Sequence, residues 1–261
     1  MKRARDNRRA GVPPTPFIVF ASPRSGSSWL VDLLDSHPRI AAYAELFLPG
    51  DRTTPDYGRK DLPRFEATVT PRFRVSLVPA RLSYLRRLYG ARPDIDAVGF
   101  KLMYRHPEVH RGLLPYLAAR RTRVVHLVRE NALEQVVSWE TSVARGRFRA
   151  HVGEEVSTSA IAIDPGALLA RLDKLQRDVA RARRTLARWR LPTLDLSYER
   201  LRESPGAELA RVAGFLEVEP RDWDPRSSLL RLNPASVRDL IENINEVEPA
   251  LARRGQAWML G

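Results

Sequence analysis

The 261 residues contain no cysteine. That excludes disulfides, thiolate nucleophiles, iron–sulfur clusters and Cys-based zinc sites, and it is compatible with a reducing compartment. Long apolar runs are missing as well: no stretch approaches the roughly 18 uncharged apolar residues that a bilayer span requires. The opening MKRARDNRRAGVPPTP has no apolar segment behind its basic residues, so the expectation is a cytoplasmic protein with no membrane span and no secretory signal. Acidic residues are in deficit, 31 against 44 Lys and Arg, for a net charge of +13. Such a surface attracts nucleic acid, anionic lipid or phosphorylated small molecules without choosing among them. No specific nucleic-acid partner is expected, because the basic N-terminus carries neither interleaved aromatics nor a helix-turn-helix pattern. There is no internal repeat.

Residues 1–16, rich in Lys, Arg and Pro, cannot bury apolar area and read as a flexible basic arm. The remainder, 17–261, reads as one domain. Short apolar runs, FIVFA (17–21), AVGFKLM (97–103), TRVVHLV (122–128) and PTLDLSY (192–198), alternate with helical patterns at 28–36, 132–144 and 165–190. Continuous apolar strands separated by helices predict an α/β fold, a central parallel sheet flanked by helices, with ligands bound at the carboxyl ends of the strands. Residues 49–96 and 145–165 break this rhythm and would suit either a cleft-capping role or surface insertions. The 4-3-4-3 spacing of Leu168, Leu172, Leu175, Val179, Ala182, Leu186 and Trp189 would serve a coiled coil. It lasts only about three heptads, so one helix packed on the sheet explains it.

The first strand runs into PRSGSSW (23–29). A helix N-terminus offers unpaired N–H groups and about half a positive charge, so this loop can cradle a phosphate or sulfate. Gly26 would let the backbone approach an anion, Ser25, Ser27 and Ser28 would add hydroxyls, and Arg24 a bidentate cation. The same serines would also serve as ordinary helix caps. A Walker A loop needs lysine directly after its second glycine, whereas Ser27 follows Gly26 here. ATPases and ordinary kinases are therefore disfavoured.

PRSGSSW after an apolar strand resembles the 5′-phosphosulfate loop of sulfotransferases that use 3′-phosphoadenosine 5′-phosphosulfate (PAPS). Arginine at the position of Arg24, and LLDSHPRIAAYAE (33–45) after the loop, resemble the tyrosylprotein and bacterial trehalose-type enzymes, whose proposed catalytic glutamate falls at Glu45. VVHLVRENALEQVVSW (124–139) is similar to the family's 3′-phosphate element, which implies Arg129 and Ser138 as its ligands. GFKLMY (99–104) resembles the strand that places Lys101 at the site, although a lysine there could also extend to solvent. LDLSYERLRESP (194–205) is similar to the strand whose tyrosine lies near adenine, implying Tyr198. By the same resemblance Ser25, Gly26, Ser27, Ser28 and Trp29 complete the donor site in a P-loop-like sulfotransferase fold. The resemblance fades beyond about residue 205. RLNPASVRDLIENINEV (231–247) would either close the 3′-phosphate site or pack on the core.

The resemblance implies transfer of a sulfuryl group from PAPS to a hydroxyl of a carbohydrate, glycolipid or small natural product, with Glu45 as base, Arg24 and Lys101 as catalytic cations, and no metal. HPEVH (106–110) spaces His106 and His110 like ligands on a helix, but Pro107 stands where a metalloprotease motif has its glutamate. His106 is the alternative base, since cytosolic relatives carry a histidine shortly after the strand lysine, three residues on where this chain has five. A P-loop small-molecule kinase and a non-catalytic polyanion-binding protein are the rival functions. The sequence sets neither the acceptor nor the oligomeric state.

Overall fold

A computed structural model describes residues 12–47, 58–62, 65, 77–110, 112–154, 159–219, 223–229 and 236–261. Residues 1–11 of the basic arm and parts of the 49–96, 145–165 and 231–247 stretches lie outside the described residues. The chain runs β1 (Thr15–Ala21), α1 (Ser27–Asp35), β2 (Ile40–Tyr43), α2 (Leu77–Leu88), β3 (Ala97–Met103), α3 (His106–Val109), α4 (Leu113–Ala119), β4 (Arg123–Val128) and α5 (Ala132–Ala144). It continues through α6 (Pro165–Arg188), β5 (Thr193–Ser197), α7 (Tyr198–Glu203), α8 (Pro205–Leu216) and α9 (Ile244–Ala252), with short 3₁₀ turns at Arg238–Leu240 and Ala257–Leu260.

Five parallel strands form one sheet in the order β2-β3-β1-β4-β5. The expected α/β architecture is therefore present. The arm boundary moves: Thr15 and Pro16 are already strand residues, in register with Ala97 and Val98. Thr15 N–H donates to the Asp96 carbonyl at 2.7 Å. Proline is tolerated there because it stands at the start of the strand. The chain leaves β1 toward β2 and β3 on one side and later crosses to β4 on the other, so the β1 loop lies at the topological switch point, where open α/β sheets bind ligands.

Strict alternation along β1 feeds two cores. Phe17, Val19 and Ala21 pack with Leu30 and Leu34 of α1 and Leu209, Val212 and Leu216 of α8. Ile18 and Phe20 point the other way, against Leu85 and Leu88 of α2, Leu117 of α4 and Leu186 of α6. With both faces covered, β2 and β3 are buried along their whole length and β1 nearly so, as a buried parallel sheet requires, whereas the edge strand β5 is partly exposed. Gly99 in β3 is a packing necessity: a Cβ there would overlap the Phe17 ring. Helix α6 divides its apolar stripe between Ala182 and Leu186, packed beside the sheet, and Leu168 and Leu172, packed against α5. Val237, Leu240, Ile241 and Val247 join that last cluster. The described part of the 231–247 segment thus packs on the core.

Candidate active site

All five strands deliver a site residue at or just beyond their carboxyl ends: the loop after β1, Glu45 after β2, Lys101 in β3, Arg129 after β4 and Tyr198 after β5. In the loop, Gly26 is the residue before α1 and has φ 86°, and no side chain caps the helix. The serines therefore do other work. Ser25 is fully buried and donates its hydroxyl to the Ser22 carbonyl at 2.9 Å. Ser28 Oγ accepts from Lys101 Nζ at 3.1 Å. The space that a side chain on residue 26 would occupy is filled by the Tyr198 ring, so a positive φ and a close aromatic neighbour together require glycine. Trp29 meets Tyr198 edge to face, with centroids 6.2 Å apart.

Arg24 also has a positive φ, 63°, a conformation that a non-glycine residue adopts at some cost. Its side chain anchors it. Nε and Nη2 donate to Ser138 Oγ at 3.1 and 2.9 Å, and Nη1 donates to the Phe148 carbonyl at 2.5 Å. Burial, then the charges of Arg129 and Arg149, lower its pKa to about 10. Ser138, grouped with Arg129 on resemblance, is thus bonded to Arg24. Arg129 lies over the Tyr198 ring, 4.5 Å from its centroid, donates Nη1 to the Arg24 carbonyl at 3.2 Å and pairs with Glu134. Gln135, which no motif singled out, donates Nε2 to Ser22 Oγ at 2.7 Å and to the Pro23 carbonyl at 2.5 Å. It lies one turn before Ser138 on α5, so helical spacing from that serine would have found it.

The second group of residues surrounds a carboxylate. Glu45 Oε1 stands 2.9 Å from Lys101 Nζ, the two side chains only 14% and 7% exposed. Oε2 faces His106 Nε2 at 3.9 Å. Burial would raise the Glu45 pKa, but Lys101, with smaller contributions from His106 and Arg149, brings it below the usual carboxylate value. Burial pushes His106 down to about 4, with Glu45 opposing. The alternative in which Lys101 extends to solvent does not apply. Arg149 completes the picture, since its charge is felt by both Arg24 and Glu45. His110 donates its Nε2–H to the Phe47 carbonyl at 2.9 Å. Among the described residues no three His, Cys, Asp or Glu side chains gather as metal ligands.

A profile of the sulfotransferase family matches residues 16–225, from β1 through α8. The chain belongs to the sulfotransferase family. Nodulation protein H of Rhizobium tropici is 24% identical over 238 residues, covering 90% of this sulfotransferase and 88% of that protein. Among solved structures, a sulfotransferase from Alicyclobacillus acidocaldarius is similar at 18% identity and TM-score 0.47, covering 93% of this chain and 94% of its own. A mouse sulfotransferase complexed with PAP is similar at 14% identity and TM-score 0.42, covering 78% and 58%. Among the described residues of this sulfotransferase, no helix is long and apolar enough to cross a membrane.

Proposed function

We propose that the protein transfers the sulfuryl group of PAPS to a hydroxyl of a carbohydrate, glycolipid or small natural product. The observation that carries this reading is the Glu45–Lys101–Ser28 chain, which ties a buried carboxylate to the first turn of the loop helix. The residues present fit the donor. The first turn of α1 has no capping side chain, Arg24 and Arg129 meet at the same loop, and Arg129 Nε is buried with no hydrogen-bond partner. Anionic oxygens would complete the coordination of these donors.

PAPS supplies an activated sulfur whose bond to the bridging phosphate oxygen is the one broken. Glu45 takes the acceptor hydroxyl proton as that oxygen attacks sulfur in line, a step for which a positioned carboxylate contributes about 10² to 10⁴ in rate. Lys101 spans the carboxylate and the loop, and so holds Glu45 ionised and faces the charge that grows on the leaving phosphate. Arg24 and the first-turn N–H groups add to that stabilisation by fixed electrostatics. Tyr198, wedged between Gly26, Trp29 and Arg129, would present an aromatic face to adenine. Arg129 would receive the 3′-phosphate.

Two measurements test the reading. Calorimetry should show 3′-phosphoadenosine 5′-phosphate (PAP) bound far more tightly than ADP, and equal affinities would overturn the donor assignment. Incubation with labelled PAPS and a panel of trehalose, other sugars, phenols and tyrosine peptides should label one acceptor class.

A further inference from the structure

Helix α5 ends at Ala144, and the chain turns through Gly146, with φ 63°, back over the loop. Two guanidinium groups pin this strap. Arg24 Nη1 donates to the Phe148 carbonyl at 2.5 Å and Arg147 Nε donates to the Arg149 carbonyl at 3.0 Å. Ala150, next along, is fully buried. The peptide carrying Arg149 is therefore held at the site from both sides, with its half-buried side chain beside Arg24.

Three guanidinium groups, of Arg24, Arg129 and Arg149, consequently share one neighbourhood. Like charges brought together and partly desolvated repel, and an anion placed among them relieves that cost. Arg149 is also close enough to Glu45 for its charge to act on the carboxylate. Residue 149 directly follows the carbonyl that Arg24 binds, and on this reading the group that passes between Arg24 and Glu45 during transfer is the sulfuryl group itself.

We propose that Arg149 is a further catalytic residue, contacting the sulfuryl oxygens during transfer from a strap that carries no family motif. The inference rests on the PAPS reading. In this step the acceptor oxygen–sulfur bond forms, the sulfur–phosphate oxygen bond breaks, Glu45 receives the proton, and the Arg149 guanidinium donates hydrogen bonds to the oxygens that remain on sulfur.

The contact predicts discrimination between two nucleotides that differ by the sulfuryl group alone. Calorimetry on the full chain without acceptor should show Arg149→Gln weakening PAPS by about tenfold, the worth of a charge-assisted hydrogen bond. PAP affinity should stay within about twofold, since PAP lacks the group that Arg149 holds. Arg149→Lys should recover part of the PAPS affinity because the charge survives. An unchanged PAPS affinity, or equal losses for PAPS and PAP, would overturn the role of Arg149 while leaving the donor assignment intact. A wild-type protein that binds neither nucleotide would overturn both.

Discussion

His106 accepts the Met103 backbone N–H at Nδ1, 3.3 Å away, so the neutral ring carries its proton on Nε2, toward Glu45. With its pKa pushed to about 4 by burial, the imidazole is neutral near pH 7 and has no accepting nitrogen facing the carboxylate. This geometry favours Glu45 over His106 as the proposed base. Glu45→Gln should lower kcat by at least about 10² with PAP affinity nearly unchanged, because the amide keeps the shape and cannot take the proton. His106→Ala should have a much smaller effect, and the reverse ranking in steady-state kinetics would transfer the role. If Glu45 is the base, Lys101 sets the acid limit. A base must be ionised, so activity falls as pH drops through the Glu45 pKa. In Lys101→Met the main influence lowering that pKa is gone and burial, which raises it, remains. The acid limb of the kcat profile should therefore move to higher pH, and an unmoved limb would separate Lys101 from the ionisation of Glu45. That Glu45 and Lys101 belong to one site was legible through motifs, whereas their direct ion pair, Gln135 and Arg149 were not. Their roles depend on where α5 and its strap return in space, and a glutamine in a helix or an arginine in a basic loop carries no local signal of that.

At the scale of elements, the loop and its helix depend on a glycine with two independent constraints. Gly26→Ala must hold a positive φ and displace the Tyr198 ring. Urea unfolding should show a loss of at least about 1 kcal/mol, from the left-handed backbone and the overpacking together. Adding Tyr198→Ala should relieve the overlap and leave the backbone cost. Helix α5 has a conventional start signal by comparison. Asn131 accepts the Glu134 N–H at 3.1 Å and donates Nδ2 to the Met259 carbonyl at 2.8 Å. Asn131→Ala should cost about 1 kcal/mol for the cap, measurable by the same unfolding assay. Four strands were readable: β1, β3 and β4 are largely buried on both faces, which writes them as mainly apolar runs, and β5 shows instead an alternating pattern. β2 was not: Ile40–Tyr43 is short, poor in β-branched residues, and becomes a strand by pairing with β3. Helices α2 and α8 were also missed. Pro205 opens α8, where proline is well suited to the first helical turn.

The whole molecule keeps several imidazoles away from water. Burial lowers the pKa of His37, His106, His110 and His126 below the ordinary 6.5. The unfolded chain therefore takes up protons that the folded chain refuses, and stability falls as pH drops below about 6.5. Thermal unfolding midpoints should decline between pH 7.5 and 5.0, and a flat profile would mean that those rings charge without unfolding. The sheet order has a consequence in time. β1 is the first strand to be synthesised, yet it occupies the centre, and its neighbours are residues 97–103 on one side and 123–128 on the other. During synthesis this apolar strand, and the loop it carries, must wait for β3 at residues 97–103 before either edge can pair. Loop closure over such distances is slow, and non-local parallel pairing is exposed to aggregation while it proceeds. The same placement that brings the loop between two strands makes the nascent chain dependent on reaching β4 before FIVFA finds another edge.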